Sequence, residues 1–157
     1  MTTHVHLIRH AKAKNRMEWT EPDDLRPLTK RGRGEAVALA QRLEVDAPGR
    51  LVSSPFLRCT QTLEPLALRL DLPIETTDLL AEGADGGSAL DLMTMLARTD
   101  SIACCTHGDV LYDVMRAVTT RGVRLDGPLD VPVASTWVLE IDDARVVGGA
   151  FVEQPPR

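Results

Sequence analysis

The chain has 157 residues, which fits one domain with an ordinary core, and its 43% hydrophobic content excludes a disordered polymer. A net charge of −5 and 3% aromatic residues argue against a nucleic-acid polymer as partner and against base stacking on aromatic platforms; an anionic partner needs a local basic patch. No apolar run reaches membrane-spanning length and Met1-Thr2-Thr3-His4 carries no signal-peptide pattern, so no membrane role is expected and the cytoplasm is the expected compartment.

Residues 3–8 predict a short buried strand with Arg9 and His10 at its C-terminal tip. The polar stretch 11–30 has no clear period, and so long a loop inside a compact domain is usually functional. Thr29 fits the N-cap of a helix whose Ala36, Leu39, Ala40 and Leu43 follow the i, i+3, i+4, i+7 pattern. Pro48-Gly49 marks a turn before a strand at 50–53. Ser54 is expected to cap the next helix, with Pro55 at its first position. Leu63, Leu66, Ala67 and Leu70 form that helix's stripe, and Pro65 is expected to kink or split it.

A strand at 72–76 and a Gly- and acid-rich loop at 77–87 follow. Ser88 with Asp91 resembles a capping box for a helix carrying Ala89, Met93, Leu96 and Ala97 on one face. Residues 101–106 are continuously apolar, as in a parallel strand buried on both faces. Asp109 is expected to cap a helix through Val110, Val114, Ala117 and Val118. Residues 122–132 read as irregular, and 135–141 with 146–152 as a hairpin around Asp142-Asp143. Cys59, Cys104 and Cys105 build no disulfide framework; Cys104 and Cys105 read as buried thiols in preference to a redox pair. The alternation predicts a three-layer α/β/α fold with a mostly parallel central sheet and a C-terminal antiparallel hairpin. With no repeat and no linker, residues 1–157 read as a single domain.

Four strand-end or loop segments carry chemistry. They are Arg9-His10, the stretch SSPFLRCTQT at 53–62 with Arg58 in a first helical turn, THGD at 106–109, and LLAEG at 79–83 with Glu82 in a loop. In open α/β sheets, ligands bind outside the carboxyl ends of the strands. An imidazole there can attack phosphorus while a guanidinium grips phosphoryl oxygens. His4 and His6 share a strand face, but no third metal ligand is evident. Lys12, Lys14 and Arg16 read either as an attractor for phosphorylated substrate or as a solvated basic loop. Arg26 reads as a loop anchor, with a substrate contact as the sharper alternative, and the cluster 30–33 as an exposed helix start.

Together with LIRHAKA at 7–13 and RPLTKRG at 26–32, these segments resemble the histidine phosphatase superfamily, also called phosphoglycerate-mutase-like, and within it the short SixA-type phosphohistidine phosphatases. The resemblance implies His10 as a nucleophile that becomes phosphorylated, with Arg9, Arg58 and His107 as the phosphate pocket. It implies Glu82 as general acid, with Asp85 and Asp109 as rivals by proximity in sequence. It calls for neither a metal nor another cofactor. Ala11 stands where the wider superfamily usually has glycine, which suits the SixA-type branch. The implied substrate is a phosphohistidine on a protein. The alternatives are a small phosphomonoester or nucleotide, as in the phosphatase half of some Nudix fusions, and a non-catalytic phosphate-binding module. The oligomeric state is not legible.

Overall fold

The computed structural model describes residues 1–156. Ten elements alternate along the chain. They are β1 (Thr2–Arg9), α1 (Lys30–Leu43), β2 (Arg50–Ser53), α2 (Leu57–Leu70), β3 (Ile74–Thr76), α3 (Gly86–Leu96), β4 (Ile102–Thr106), α4 (Gly108–Thr120), β5 (Thr136–Asp142) and β6 (Arg145–Val152). The sheet order is β3-β2-β4-β1-β5-β6. The first four strands in that order run parallel, and β5 and β6 close the sheet as an antiparallel hairpin.

Two apolar layers flank the sheet because the central strands are apolar on both faces. Val5 and Leu7 of β1, with Ile102 and Cys104 of β4, pack under α3 and α4. Ile8, with Ala103 and Cys105, packs under α1 and α2. Successive strand residues point to opposite faces, so a continuous apolar run supplies both cores. All three cysteines are free and buried.

Several local expectations are corrected. β3 starts at Ile74 because Pro73 has no N–H to give to a ladder. α2 starts at Leu57 with Phe56 at its N-cap. Ser54 does not cap it, since its Oγ lies 2.8 Å from His107 Nε2 while accepting from Phe56 N at 3.2 Å. Pro65 neither splits nor ends α2, which continues to Leu70. Leu63 and Leu66, each 1% exposed, anchor the helix on either side of it. α3 begins two residues before the expected box, because Asp85 is its N-cap and accepts from Ser88 N and Oγ, both at 2.9 Å. In α4 the N-cap position is His107, and Asp109 lies in the first turn. The hairpin tip is Asp143-Ala144, whose φ values of 51° and 57° suit a two-residue turn between twisted strands.

The 11–30 loop is ordered by the buried side chains of Thr62 and Glu35 and the half-buried Gln61. Ala11 N donates to Thr62 Oγ1 at 3.0 Å, Lys12 N to Glu35 Oε1 at 2.9 Å and Leu28 N to Gln61 Oε1 at 2.8 Å. Unpaired backbone groups would be costly here, so these bonds fix the loop over the strand ends. Thr29 caps α1 as expected, accepting from Gly32 N at 3.0 Å.

Candidate active site

The parallel register sets Arg9 opposite Thr106, so His10 and His107 leave neighbouring strands side by side. His10 N donates to Thr106 O at 3.0 Å, and Ser54 N donates to Cys105 O at 3.0 Å. Three strand ends thus meet where the sheet order changes direction, the usual ligand position in such sheets.

His10 is 8% exposed, and its Nδ1 lies 2.8 Å from Ala11 O. A carbonyl only accepts, so Nδ1 carries the proton and Nε2 keeps its lone pair. Burial holds the His10 pKa down to about 3; the Ala11 hydrogen bond opposes it, while Arg58, His107 and Arg9 push further down. At neutral pH the ring is therefore an uncharged base.

Arg9 donates through Nη1 to Val131 O, and its guanidinium lies against the first turn of α4. Gly108 permits this approach, since a Cβ there would stand 2.8 Å from Arg9 Cζ. Arg9 Nε is buried without a hydrogen-bond partner among the described residues.

Arg58 is fully buried at 0% exposure. Its Nη1 donates to Asp23 O at 2.9 Å and its Nη2 to Asp23 Oδ2 at 3.1 Å. Nη2 also lies 3.4 Å from His107 Nδ1 and 3.6 Å from Glu82 Oε1. A guanidinium has no acceptor, so Nδ1 of His107 accepts and its Nε2 donates to Ser54 Oγ at 2.8 Å. The His10 and His107 rings are 5.5 Å apart, edge to face. Phe56 covers the other side, 4.8 Å from the His107 ring and 5.0 Å from Arg58 Cζ.

Glu82 Oε1 accepts from Arg16 Nη2 at 2.8 Å. Asp109, one of its rivals, accepts from Gly83 N at 2.9 Å and so fixes the Glu82 loop. Asp85, the other, is occupied as the α3 cap.

Sequence reasoning missed Asp23. Its carboxylate meets Arg58, Arg26 at 2.9 Å and Arg16 at 3.7 Å. Burial raises its pKa, yet the bonds from Arg26 and Arg58 prevail and leave it below the usual carboxylate value. It also missed Cys59, whose Sγ lies 3.6 Å from His107 Nε2. An acid flanked by other acids at 21–24 has no local signature, and only the fold brings it to Arg58. Arg26 is 6% exposed and ties the loop to Lys14 O at 2.6 Å.

A cleft of about 1750 Å³ opens over these groups, lined among others by Arg9, His10, Lys12, Arg16, Glu82 and His107. Arg58 lies behind this wall. Far from it, His6 is 1% exposed, with Nε2 3.6 Å from Asp46 Oδ2, and burial lowers its pKa against that carboxylate.

Residues 5–89 match the family model of the histidine phosphatase superfamily, branch 1. The chain belongs to this superfamily. It is 33% identical over 158 residues to an 8-oxo-(d)GTP phosphatase of Mycolicibacterium smegmatis, across 98% of this chain and 49% of that protein. It thus spans about half the length of that curated relative. Among solved structures, SixA of Agrobacterium tumefaciens superposes with a TM-score of 0.74 at 23% identity, over 99% of both chains. A protein histidine phosphatase SixA complexed with tungstate gives 0.73 at 25%, over 96% of this chain and 94% of that one. This histidine phosphatase superfamily member shares their fold across nearly its whole length.

Proposed function

We propose that this domain hydrolyses phosphate from a phosphorylated substrate through a phosphohistidine at His10. The observation that carries the reading is His10 Nδ1 at 2.8 Å from Ala11 O, which leaves Nε2 as the lone-pair nitrogen of a ring that lines a cleft together with Arg9; burial favours the uncharged form of that ring. Nε2 attacks phosphorus, the P–O or P–N bond to the leaving group breaks, and Nδ1 keeps its proton on Ala11 O. Arg9 and, behind the cleft wall, Arg58 offset the charge spread over the equatorial oxygens, while His107, which lines the cleft, is held in place by Arg58 and Ser54. An incoming dianion also offsets the two guanidinium charges that depress His10. Water then attacks the phosphohistidine, releasing phosphate and restoring the free ring. Glu82, which lines the same cleft, is the candidate general acid for a poor leaving group.

Two substrate classes have support. The 33% identical relative is an 8-oxo-(d)GTP phosphatase, which favours a nucleotide. The solved SixA neighbour complexed with tungstate is a protein histidine phosphatase, which favours a phosphohistidine side chain.

The test is hydrolysis of an aryl phosphate by wild type and His10→Ala in the presence of a chelator. The expected result is loss of at least about 10³-fold in kcat for the variant, as for removal of a nucleophile, and no effect of chelator on wild type. Equal rates in the two proteins would remove His10 from the reaction.

A further inference from the structure

The chain's aromatic residues are two Trp, one Tyr and two Phe. Trp137 and Phe151 pair inside the fold, with ring centroids 5.7 Å apart. Phe56 backs His107 and Arg58. The remaining two, Trp19 and Tyr112, both line the cleft that holds His10. They come from different segments, Trp19 from the 11–30 loop and Tyr112 from α4.

Neither ring belongs to the two apolar layers of the core. Tyr112 is 42% exposed. Trp19 is half-buried and held in place, its Nε1 donating to Pro22 O at 3.1 Å. Lys14 Nζ stands 5.9 Å from the Trp19 ring centroid. Lys12 and Lys14 are exposed, line the same cleft, and have no carboxylate within ion-pair distance among the described residues. Arg16 differs, being paired with Glu82. The cleft's 1750 Å³ exceeds what a phosphate and a single small ring need.

We infer that Trp19 and Tyr112 form a leaving-group subsite that takes the base of a nucleoside diphosphate, while Lys12 and Lys14 meet the phosphate that is retained. This rests on the phosphatase reading above and names its substrate class. The terminal phosphoryl group passes to His10 Nε2 as the bridging P–O bond breaks, and the nucleoside monophosphate departs with that oxygen. Water then frees the phosphate from His10. A phosphate leaving group needs little proton assistance, which suits a Glu82 held by Arg16. The low aromatic content that argues against a nucleic-acid polymer does not bear on a single base meeting cleft aromatics.

The experiment compares kcat/KM for guanosine diphosphate and for methyl diphosphate, which has no base, in wild type, Trp19→Leu, Trp19→Phe and Tyr112→Leu. Wild type should prefer the nucleotide by about tenfold or more, as expected for stacking of one base. Each Leu variant should lose most of that ratio, chiefly through KM, and Trp19→Phe should retain most of it. Equal losses on both substrates would assign the rings a structural role and overturn the inference. So would a wild type without preference, or faster turnover of a phosphohistidine peptide than of the nucleotide. Failure of the phosphatase reading is separable, because titration of His10→Ala with guanosine diphosphate, read by tryptophan fluorescence with His10→Ala/Trp19→Leu as the control for Trp137, reports the subsite without turnover. Saturable quenching that Tyr112→Leu weakens supports the subsite; no quenching overturns it.

Discussion

His10 links chemistry to stability. Its folded pKa is about 3, against about 6.5 for a free histidine. Between those values the unfolded chain binds a proton that the native chain refuses, so stability rises with pH across the window. His6 is lowered by burial as well and acts in the same direction. The melting temperature should be highest above pH 6.5 and fall as pH drops toward 4. Replacing His10 by Asn should flatten that slope. Melting curves at several pH values check it, and an unchanged slope would refute the buried neutral ring.

Glu82 and Asp23 are the two carboxylates whose roles separate by experiment. Glu82→Gln should slow an alkyl phosphate at least about tenfold more than an aryl phosphate, because only the poorer leaving group needs a proton. Equal slowing would leave Glu82 an ion-pair partner of Arg16 and Arg58 with no acid role. Asp23→Asn keeps the backbone carbonyl that meets Arg58 and removes the carboxylate charge. Because Asp23 is 37% exposed, the stability loss should be modest, about 1 kcal/mol. The kcat should fall about tenfold as Arg58 and His107 lose their fixed orientation. Unchanged kinetics would show that Arg58 does not depend on this contact. Arg9 and His10 were legible because a strand's end and its next two residues are adjacent in sequence. Asp23 was not, because its partner lies 35 residues away.

The elements were legible where apolar period alone decides. The stripe of α1 and the continuous run of β4 buried as read. The misreadings fall at element ends, where one side chain chooses between a local cap and a distant partner. Ser54 bonds to His107, and Asp109 holds Gly83, because the fold brings those groups within reach. Close approach between elements is equally silent in sequence. A Cβ at Gly86 would lie 2.4 Å from the Asp113 backbone carbon, where α3 begins against α4. Asp113 also accepts from Gly86 N at 2.7 Å, so the approach is fixed. Gly86→Ala should therefore destabilise the protein by about 1–3 kcal/mol, read as a lower urea midpoint at constant slope. A variant as stable as wild type would show that α3 can shift without loss.

At the scale of the molecule, the site collects residues from both halves of the chain. Arg9, His10 and Arg16 come from the N-terminal part, and Glu82 and His107 from beyond the middle. Binding there should stabilise the assembly as a whole. We propose that residues 1–157 unfold as one cooperative unit, since β1 pairs with both β4 and β5 and, among the described residues, none of the ten elements stands apart from the sheet or its two layers. An anion that binds only the folded state adds about 2.7 kcal/mol at a hundredfold excess over its Kd. For a domain of this size that raises the melting temperature by roughly 5–10 °C. Phosphate or vanadate should produce this shift in a single transition, and Arg9→Ala should remove most of it. Two transitions, of which only one responds to the anion, would instead divide the chain into independent units. A shift that survives Arg9→Ala would place anion binding elsewhere.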